Sequence, residues 1–333
     1  MPNDYFASFQ HARTAWVVSD GTKGMEVQSL GLAAQMGLTV TVIRLKIPRL
    51  LRGIPTLGQY AFMPMPKECR AAAKAGWPDV IITTGRRMAG LSILLKHKSS
   101  GASRTIHIQD PKLPPSLFDV MVVPSHDHIR GDNILVTTGS LNMLTPELIA
   151  AETKSLPAAL KALPRPIIAV MIGGSNRRYG VAEPELLRLG EIASALGHAV
   201  GGSLAFIPSR RSHELAASCI RATIGKDLLN PPEYWIWDGQ TPNPYPGILG
   251  LADVVVVTSD SVNMTSEACL SGKPVYRYDF KPETGRIGLF HQIMEAGGYT
   301  HALEPINASE FPASVGPQLD ETKRIAQFLL GKK

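Results

Sequence analysis

Residues 258–267 read Thr-Ser-Asp-Ser-Val-Asn-Met-Thr-Ser-Glu and follow four consecutive valines, 254–257. A run of β-branched residues of that length reads as a strand buried on both faces. The polar turn after it, Thr258, Ser259, Asp260 and Ser261, leads into a helix opening at Asn263. That helix carries Met264, Ser266 and Glu267 on its first turns and stops at Gly272, before Pro274. In an open parallel sheet, ligands bind off the carboxyl ends of the strands. A helix N-terminus there offers N–H groups and a positive dipole end to an anion. Glu267 lies near the same end, where a carboxylate can accept two hydroxyls of a ribose. Phosphate at the turn and ribose on the glutamate describe a site for a nucleotide or a nucleotide sugar. The plainer alternative is an ordinary crossover whose Ser and Asp residues only cap the helix.

Three further polar loops follow expected strands of the same half. Ile172-Gly173-Gly174-Ser175-Asn176 lets a backbone approach a diphosphate closely, and its N–H groups can form an anion nest. It is neither GxGxxG nor a P-loop, and a tight turn explains it equally well. Pro208-Ser209-Arg210-Arg211 offers an arginine fork to a phosphate, or a solvated basic surface. Residues 237–245 form a long loop whose Asp238, Asn243 and Tyr245 are candidates for base or sugar contacts. Because all four loops follow strands of one sheet, they should gather on one rim.

The first half repeats the pattern. Asp20 and Glu26, in the strand-to-helix turn 19–28, are carboxylates suited to general-base work, with helix capping as the alternative. Arg86 in 85–87, the loop 109–112 and His126 in 124–127 also follow strands, and Arg86 and His126 are candidates for orienting an acceptor. GxSxG, HExxH and cysteine–histidine zinc spacings are absent from the sequence, so no catalytic metal and no dedicated cofactor are expected.

The elements that must carry these loops alternate. Strands are expected at 15–19, 39–45, 79–83, 105–109, 120–123 and 134–137, with helices at 26–36 and 87–98. After 145–166 the alternation restarts. Strands are expected at 167–172, 203–208, 234–237, 254–258 and 275–278, and helices at 183–196, 213–223, 263–270 and 320–329. This is an α/β chain of two Rossmann-like parallel-sheet domains. The divisions are 1–145, a proline-bearing linker 146–166 with a helical middle at 146–163, a nucleotide-binding domain 167–315, and a C-terminal helix in 316–333 that can cross back to the first domain. Two such halves on one linker suggest a cleft between domains as the site.

At 333 residues, with 44% hydrophobic and 19% charged residues, the chain is globular and long enough for two cores. Three widely spaced cysteines, with no CxxC, fit reduced thiols in a cytosol-like compartment. The N-terminus has no basic start followed by an apolar run, so no signal peptide is expected. The net charge of +6 suits an anionic ligand, but the basic residues are not interleaved with aromatics, so nucleic acid is not an expected partner. Residues 44–67 are apolar, basic and broken by four prolines. They are a candidate for contact with an anionic membrane or a lipid-linked acceptor, or a flap packed on their own domain.

With these residues in view, the chain resembles the mitochondrial fission ELM (elongated mitochondria) family. The resemblance rests on Asp20-Gly21, Gly24, Glu26 and Gln28, Gln109-Asp110-Pro111, His126-Asp127, Gly173-Gly174, Ser209-Arg210-Arg211, Trp237-Asp238-Gly239, Asn243-Pro244-Tyr245, and the blocks from Thr258 to Val275. Met25 stands where many members carry histidine. The family in turn is similar to the GT-B glycosyltransferases and nucleotide-sugar epimerases. That implies two facing Rossmann-like domains, with the nucleotide held mainly by the C-terminal one through a pattern that maps onto Ser266, Glu267, Ala268, Gly272 and Pro274. The implied activity is metal-independent transfer from a nucleotide-diphosphate sugar, UDP-type favoured, to an unknown acceptor. Plant members of the family imply a different role, a non-catalytic adaptor recruiting a dynamin-like partner. A nucleotide-sugar epimerase on the same scaffold is a third reading.

Overall fold

The computed structural model describes residues 4–46, 64–174, 181–226, 229–281, 284–304, 311 and 315–332. The chain divides into two compact units, Met1–Met143 with Asp320–Lys333, and Leu144–Leu319.

The first unit begins α1 (Asp4–Ala7), β1 (Thr14–Ser19), α2 (Lys23–Gln35), β2 (Thr39–Arg44), α3 (Lys67–Ala73) and β3 (Val80–Thr84). It continues α4 (Arg86–Lys98), β4 (Arg104–Ile108), β5 (Val120–Pro124) and β6 (Ile134–Thr137). The second unit holds α5 (Pro146–Ser155), α6 (Ala158–Lys161), β7 (Ile167–Ile172), α7 (Glu183–Ala199), β8 (Ser203–Pro208), α8 (His213–Thr223) and β9 (Tyr234–Ile236). It closes with α9 (Tyr245–Leu251), β10 (Val254–Thr258), α10 (Val262–Leu270), β11 (Val275–Tyr278), α11 (Gly285–Ala296) and β12 (His301–Ala302), and α12 (Glu321–Leu329) returns to the first unit. The stretch read as a linker, 146–166, thus carries α5 and α6 within the second unit.

The sheet of the first unit runs β2-β1-β3-β4-β5-β6, and that of the second β12-β11-β10-β7-β8-β9. All pairings are parallel. The second order is the Rossmann order, reversing direction between β7 and β10; the first reverses between β1 and β3. The valine run of β10 shows why the sequence is continuous there. Val255 and Val257 pack with Ile248, Leu249 and Phe290 in one layer. Val254 and Val256 pack with Leu186 and Ile220 in the other. Both faces are covered by helices, so neither can be polar.

In the first unit, Ile325, Ala326 and Leu329 of α12 join Leu32 and Ala33 of α2 over Val17 and Ile82. Polar contacts fix the docking: the Thr138 N–H donates to Glu321 at 3.0 Å, and the Asn142 N–H to Thr322 Oγ1 at 2.9 Å. On β4, His107 lies at 2.8 Å from Thr83 Oγ1 through Nδ1 and stacks on Phe118 with centroids 4.9 Å apart. Burial pushes its pKa down to about 3, so the folded chain keeps it neutral. The unfolded chain, with an ordinary histidine, takes up a proton below roughly pH 6.5. Stability is therefore lost as pH falls from there towards 3, by about 1.4 kcal/mol per pH unit from this group. The melting temperature of His107→Asn should drop less between pH 6.5 and pH 5 than that of the parent chain; parallel decline would show that His107 does not carry this acid sensitivity.

Candidate functional site

The carboxyl ends of β7 and β10 meet at the switch point of the second sheet. The Gly173 N–H donates to Thr258 Oγ1 at 2.8 Å and the Gly174 N–H to Asp260 Oδ2 at 3.2 Å. The Thr258 hydroxyl donates to Asp260 Oδ1 at 2.6 Å. A Cβ on Gly173 would stand 2.0 Å from Asp260 Oδ2, and one on Gly174 2.3 Å from Ser209 Oγ. The glycines therefore serve close approach of the β10 and β8 turns, and their N–H groups are taken by Thr258 and Asp260. Burial pushes the Asp260 carboxyl above its ordinary range, against its hydrogen bond from Thr258. Ser175 lies outside the described residues. Ser209 Oγ lies 3.1 Å from Ser212 Oγ, and Ser212 in turn donates to the Gly173 carbonyl at 2.6 Å. The loops after β7, β8 and β10 are thus knitted into one rim, with Arg210 and Arg211 exposed on it.

The β10 turn also anchors α10. Ser261 Oγ accepts the Met264 N–H at 3.2 Å as an N-cap. The Ser259 carbonyl accepts from His291 Nε2 of α11 at 2.8 Å, a buried partner that sequence reasoning did not single out. Ser266 Oγ donates to the Val262 carbonyl at 2.8 Å, and Met264 packs against the core. Glu267 is only half-buried as a residue, but its carboxyl is enclosed, and burial raises its pKa to about 7. Burial and the Glu267 charge push the Tyr245 hydroxyl well up. Asn243 Oδ1 accepts the Tyr245 N–H at 3.1 Å and so helps place that ring. Asp238 Oδ1 accepts from the Gln240 N–H, the Thr241 N–H and the Thr241 hydroxyl at 2.9, 2.9 and 2.8 Å. The bonds from Thr241 lead in lowering its pKa, and the carboxylate orders its own loop.

The first unit arranges its candidates as ion pairs. Glu26 takes Arg44 Nη2 at 2.7 Å and Nε at 3.0 Å, and this pairing lowers its pKa. Asp20 meets Arg87 at 3.0 Å and accepts the Thr22 N–H at 3.0 Å. Burial raises its carboxyl, but the bonds from Thr22 and Arg87 outweigh it and leave the pKa lowered. A carboxylate stabilised in its charged form is a weak general base near neutrality. Arg86 is the first residue of α4 and exposed. His126 is 7% exposed, on a loop after β5 where Arg130 donates to the carbonyls of Ser125 and Ile129 at 3.1 and 2.7 Å. Met25 brings its sulfur to 3.3 Å from where a Gly85 Cβ would be. Among the described residues, no cluster of three or more His, Cys, Asp or Glu could hold a metal ion. Most of the apolar, basic segment 44–67 lies outside the described residues. Among those described, no helix is long and apolar enough to cross a membrane.

Set against known proteins, the family described as Mitochondrial fission ELM1 matches residues 23–332. The Mitochondrial fission protein ELM1 of Arabidopsis thaliana is 31% identical over 227 residues, 60% of this chain and 51% of the plant protein. The chain thus spans about half the length of that relative. The Uncharacterized protein RP120 of Rickettsia prowazekii is 28% identical over 299 residues, 78% of this chain and 82% of that protein. Among solved structures, the UDP-GlcNAc 2-epimerase from Neisseria meningitidis bound to UDP-GlcNAc aligns with a TM-score of 0.57 at 13% identity, covering 96% of this chain and all (100%) of that one. MurG of Acinetobacter baumannii aligns at 0.52 and 10% identity, covering 96% and 99%. Identities this low speak for the shared GT-B architecture alone.

Proposed function

The chain belongs to the Mitochondrial fission ELM1 family, and from that premise and the rim geometry we propose that it binds a nucleotide-diphosphate sugar in its C-terminal domain. The observation that carries the reading is the enclosed Glu267 carboxyl of α10, with the buried Tyr245 hydroxyl of α9 left without a hydrogen-bond partner among the described residues. An enclosed carboxyl is costly unless something uses it, and a ribose presents two hydroxyls to a carboxylate. The UDP-GlcNAc bound by the Neisseria epimerase supports a UDP-type ligand. Transfer would break the bond from the sugar C1 to the β-phosphate oxygen and form a bond from C1 to an acceptor oxygen. The acceptor proton leaves to a base, and the diphosphate departs with the bonding electrons. Positive donors at the rim would stabilise that departing charge without a metal. Acceptor recognition falls to the N-terminal domain, with Arg86 and His126 as its candidates.

A thermal-shift series with UDP, GDP, ADP, CMP, TDP and their common sugars tests this. A ligand at about 100 times its Kd stabilises the fold by roughly 2.7 kcal/mol. A selective rise with UDP compounds is expected, and Glu267→Ala should abolish it. A rise that survives Glu267→Ala removes the ribose role. A second reading, the non-catalytic adaptor, is favoured by the Gly173 and Gly174 N–H groups being satisfied internally. Under it, no nucleotide raises the melting temperature.

A further inference from the structure

Beside the switch point, on the β8 and β9 side of the second sheet, lies a cavity of about 520 Å³. Its polar walls are Arg210, Arg211, His213 and Glu214 at the start of α8, and Asp238 and Gln240 from the loop after β9. The size is that of a small-molecule site. His213 holds the two walls together, with Nε2 at 2.6 Å from the Trp237 carbonyl and its ring edge-on to the Trp237 indole at 6.0 Å.

The charges in this cavity are not equivalent. Asp238 is occupied by three hydrogen bonds from its own loop. Arg210 and Arg211 form no salt bridge among the described residues. Arg211 lies near Asp260 and favours its charged form, but the two do not close an ion pair. Ser212, the N-cap of α8, makes no side-chain cap because its hydroxyl donates to the Gly173 carbonyl instead. The glycine turn next door, by contrast, is already filled by the Asp260 carboxylate at the Gly174 N–H, and a second anion there would be repelled.

We propose that this cavity is the anion subsite of the second unit, taking the phosphoryl group of a small phosphorylated, hydroxyl-bearing ligand on Arg210 and Arg211. The planar guanidinium forks suit phosphate oxygens. Glu214 and Gln240 supply acceptors and donors for adjacent hydroxyls. The phosphate therefore binds beside the Gly173–Gly174 turn and not in it. Only the identity of the ligand rests on the nucleotide-sugar reading; the preference for an anion does not.

Isothermal calorimetry on the full chain, with inorganic pyrophosphate and with UDP as separate probes, tests the subsite. The double variant R210Q/R211Q should weaken pyrophosphate at least about tenfold, the loss of one or more charge-assisted hydrogen bonds. Asp260→Asn should not weaken it, and Arg70→Gln, an exposed charge on α3, should leave it unchanged. Both arginines are exposed, so the melting temperature of the double variant should match that of the parent. Pyrophosphate binding unaffected by R210Q/R211Q, or absent from the parent at millimolar concentration, overturns the subsite. Pyrophosphate binding that depends on the arginines, without any preference for UDP over pyrophosphate, keeps the subsite and removes the nucleotide reading. UDP binding that depends on Glu267 but not on the arginines does the reverse.

Discussion

Replacing Glu267 by glutamine is expected to stabilise the protein at pH 8 and to leave its stability at pH 4.5 unchanged. The folded-state pKa of this carboxyl is about 7, raised from 4.5 chiefly by burial. Between those values the folded chain holds a proton that the unfolded chain has released. The stabilisation from that proton is complete below the unfolded value and is lost as pH rises through about 7. Above that, the parent must keep a carboxylate in an enclosed site, against a difference of about 3 kcal/mol at most. Glutamine has nearly the same shape and no charge, so it escapes the penalty. Urea midpoints of parent and variant across pH 4.5 to 8 should therefore diverge steadily. The same variant should lose nucleotide recognition, because an amide cannot accept two hydroxyls as a carboxylate does. A gain in stability joined to a loss of binding is the pattern of a residue kept for function. A pH-independent difference between the two proteins would mean that Glu267 titrates normally and that its enclosure has no functional significance.

The sequence made the strands and the rim legible, but not the partnerships on the rim. The valines of β10 require a strand covered on both sides, and each polar loop following a strand had to reach the carboxyl edge. Helix α9 was hidden because Tyr-Pro-Gly-Ile-Leu-Gly-Leu reads as irregular chain. The reason for its glycines lies far away in sequence, on α5. A Cβ on Gly250 would stand 2.1 Å from Thr153 Oγ1, and one on Gly247 2.8 Å from the Glu152 carbonyl oxygen. Missing α9 meant missing that Tyr245 faces Glu267. Helix α11 was missed in the same way, and His291 with it. The pairing of Gly174 with Asp260 spans 86 positions and follows from β7 lying next to β10. Strand order of that kind is written in no local pattern. It also changes the meaning of the glycines. A Gly-Gly pair after a strand can be a nest for a ligand's phosphate or a seat for a side chain of the same protein. Only the neighbouring strand decides which.

That distinction sets the expectation for Gly173→Ala. The new methyl would fall 2.0 and 2.1 Å from the two carboxylate oxygens of Asp260, which cannot swing far because Thr258 and the Gly174 N–H hold them. Overpacking of this kind costs about 1–3 kcal/mol, with the broken hydrogen bonds adding to it. Asp260→Ala alone should cost about 1–3 kcal/mol by leaving the Gly174 N–H and the Thr258 hydroxyl without their acceptor. In the double variant the methyl enters the space that the carboxylate has left. Its destabilisation should therefore fall short of the summed single losses by at least about 1 kcal/mol. Chemical denaturation of the four proteins reads the coupling directly. Additivity within about 0.5 kcal/mol would mean that the backbone of the turn moves away from the methyl. The glycine turn could then open for an anion without displacing Asp260, and a phosphate would be free to bind there. Strong coupling means that the turn is rigid and occupied, which leaves the exposed Arg210 and Arg211, among the described residues, to receive one.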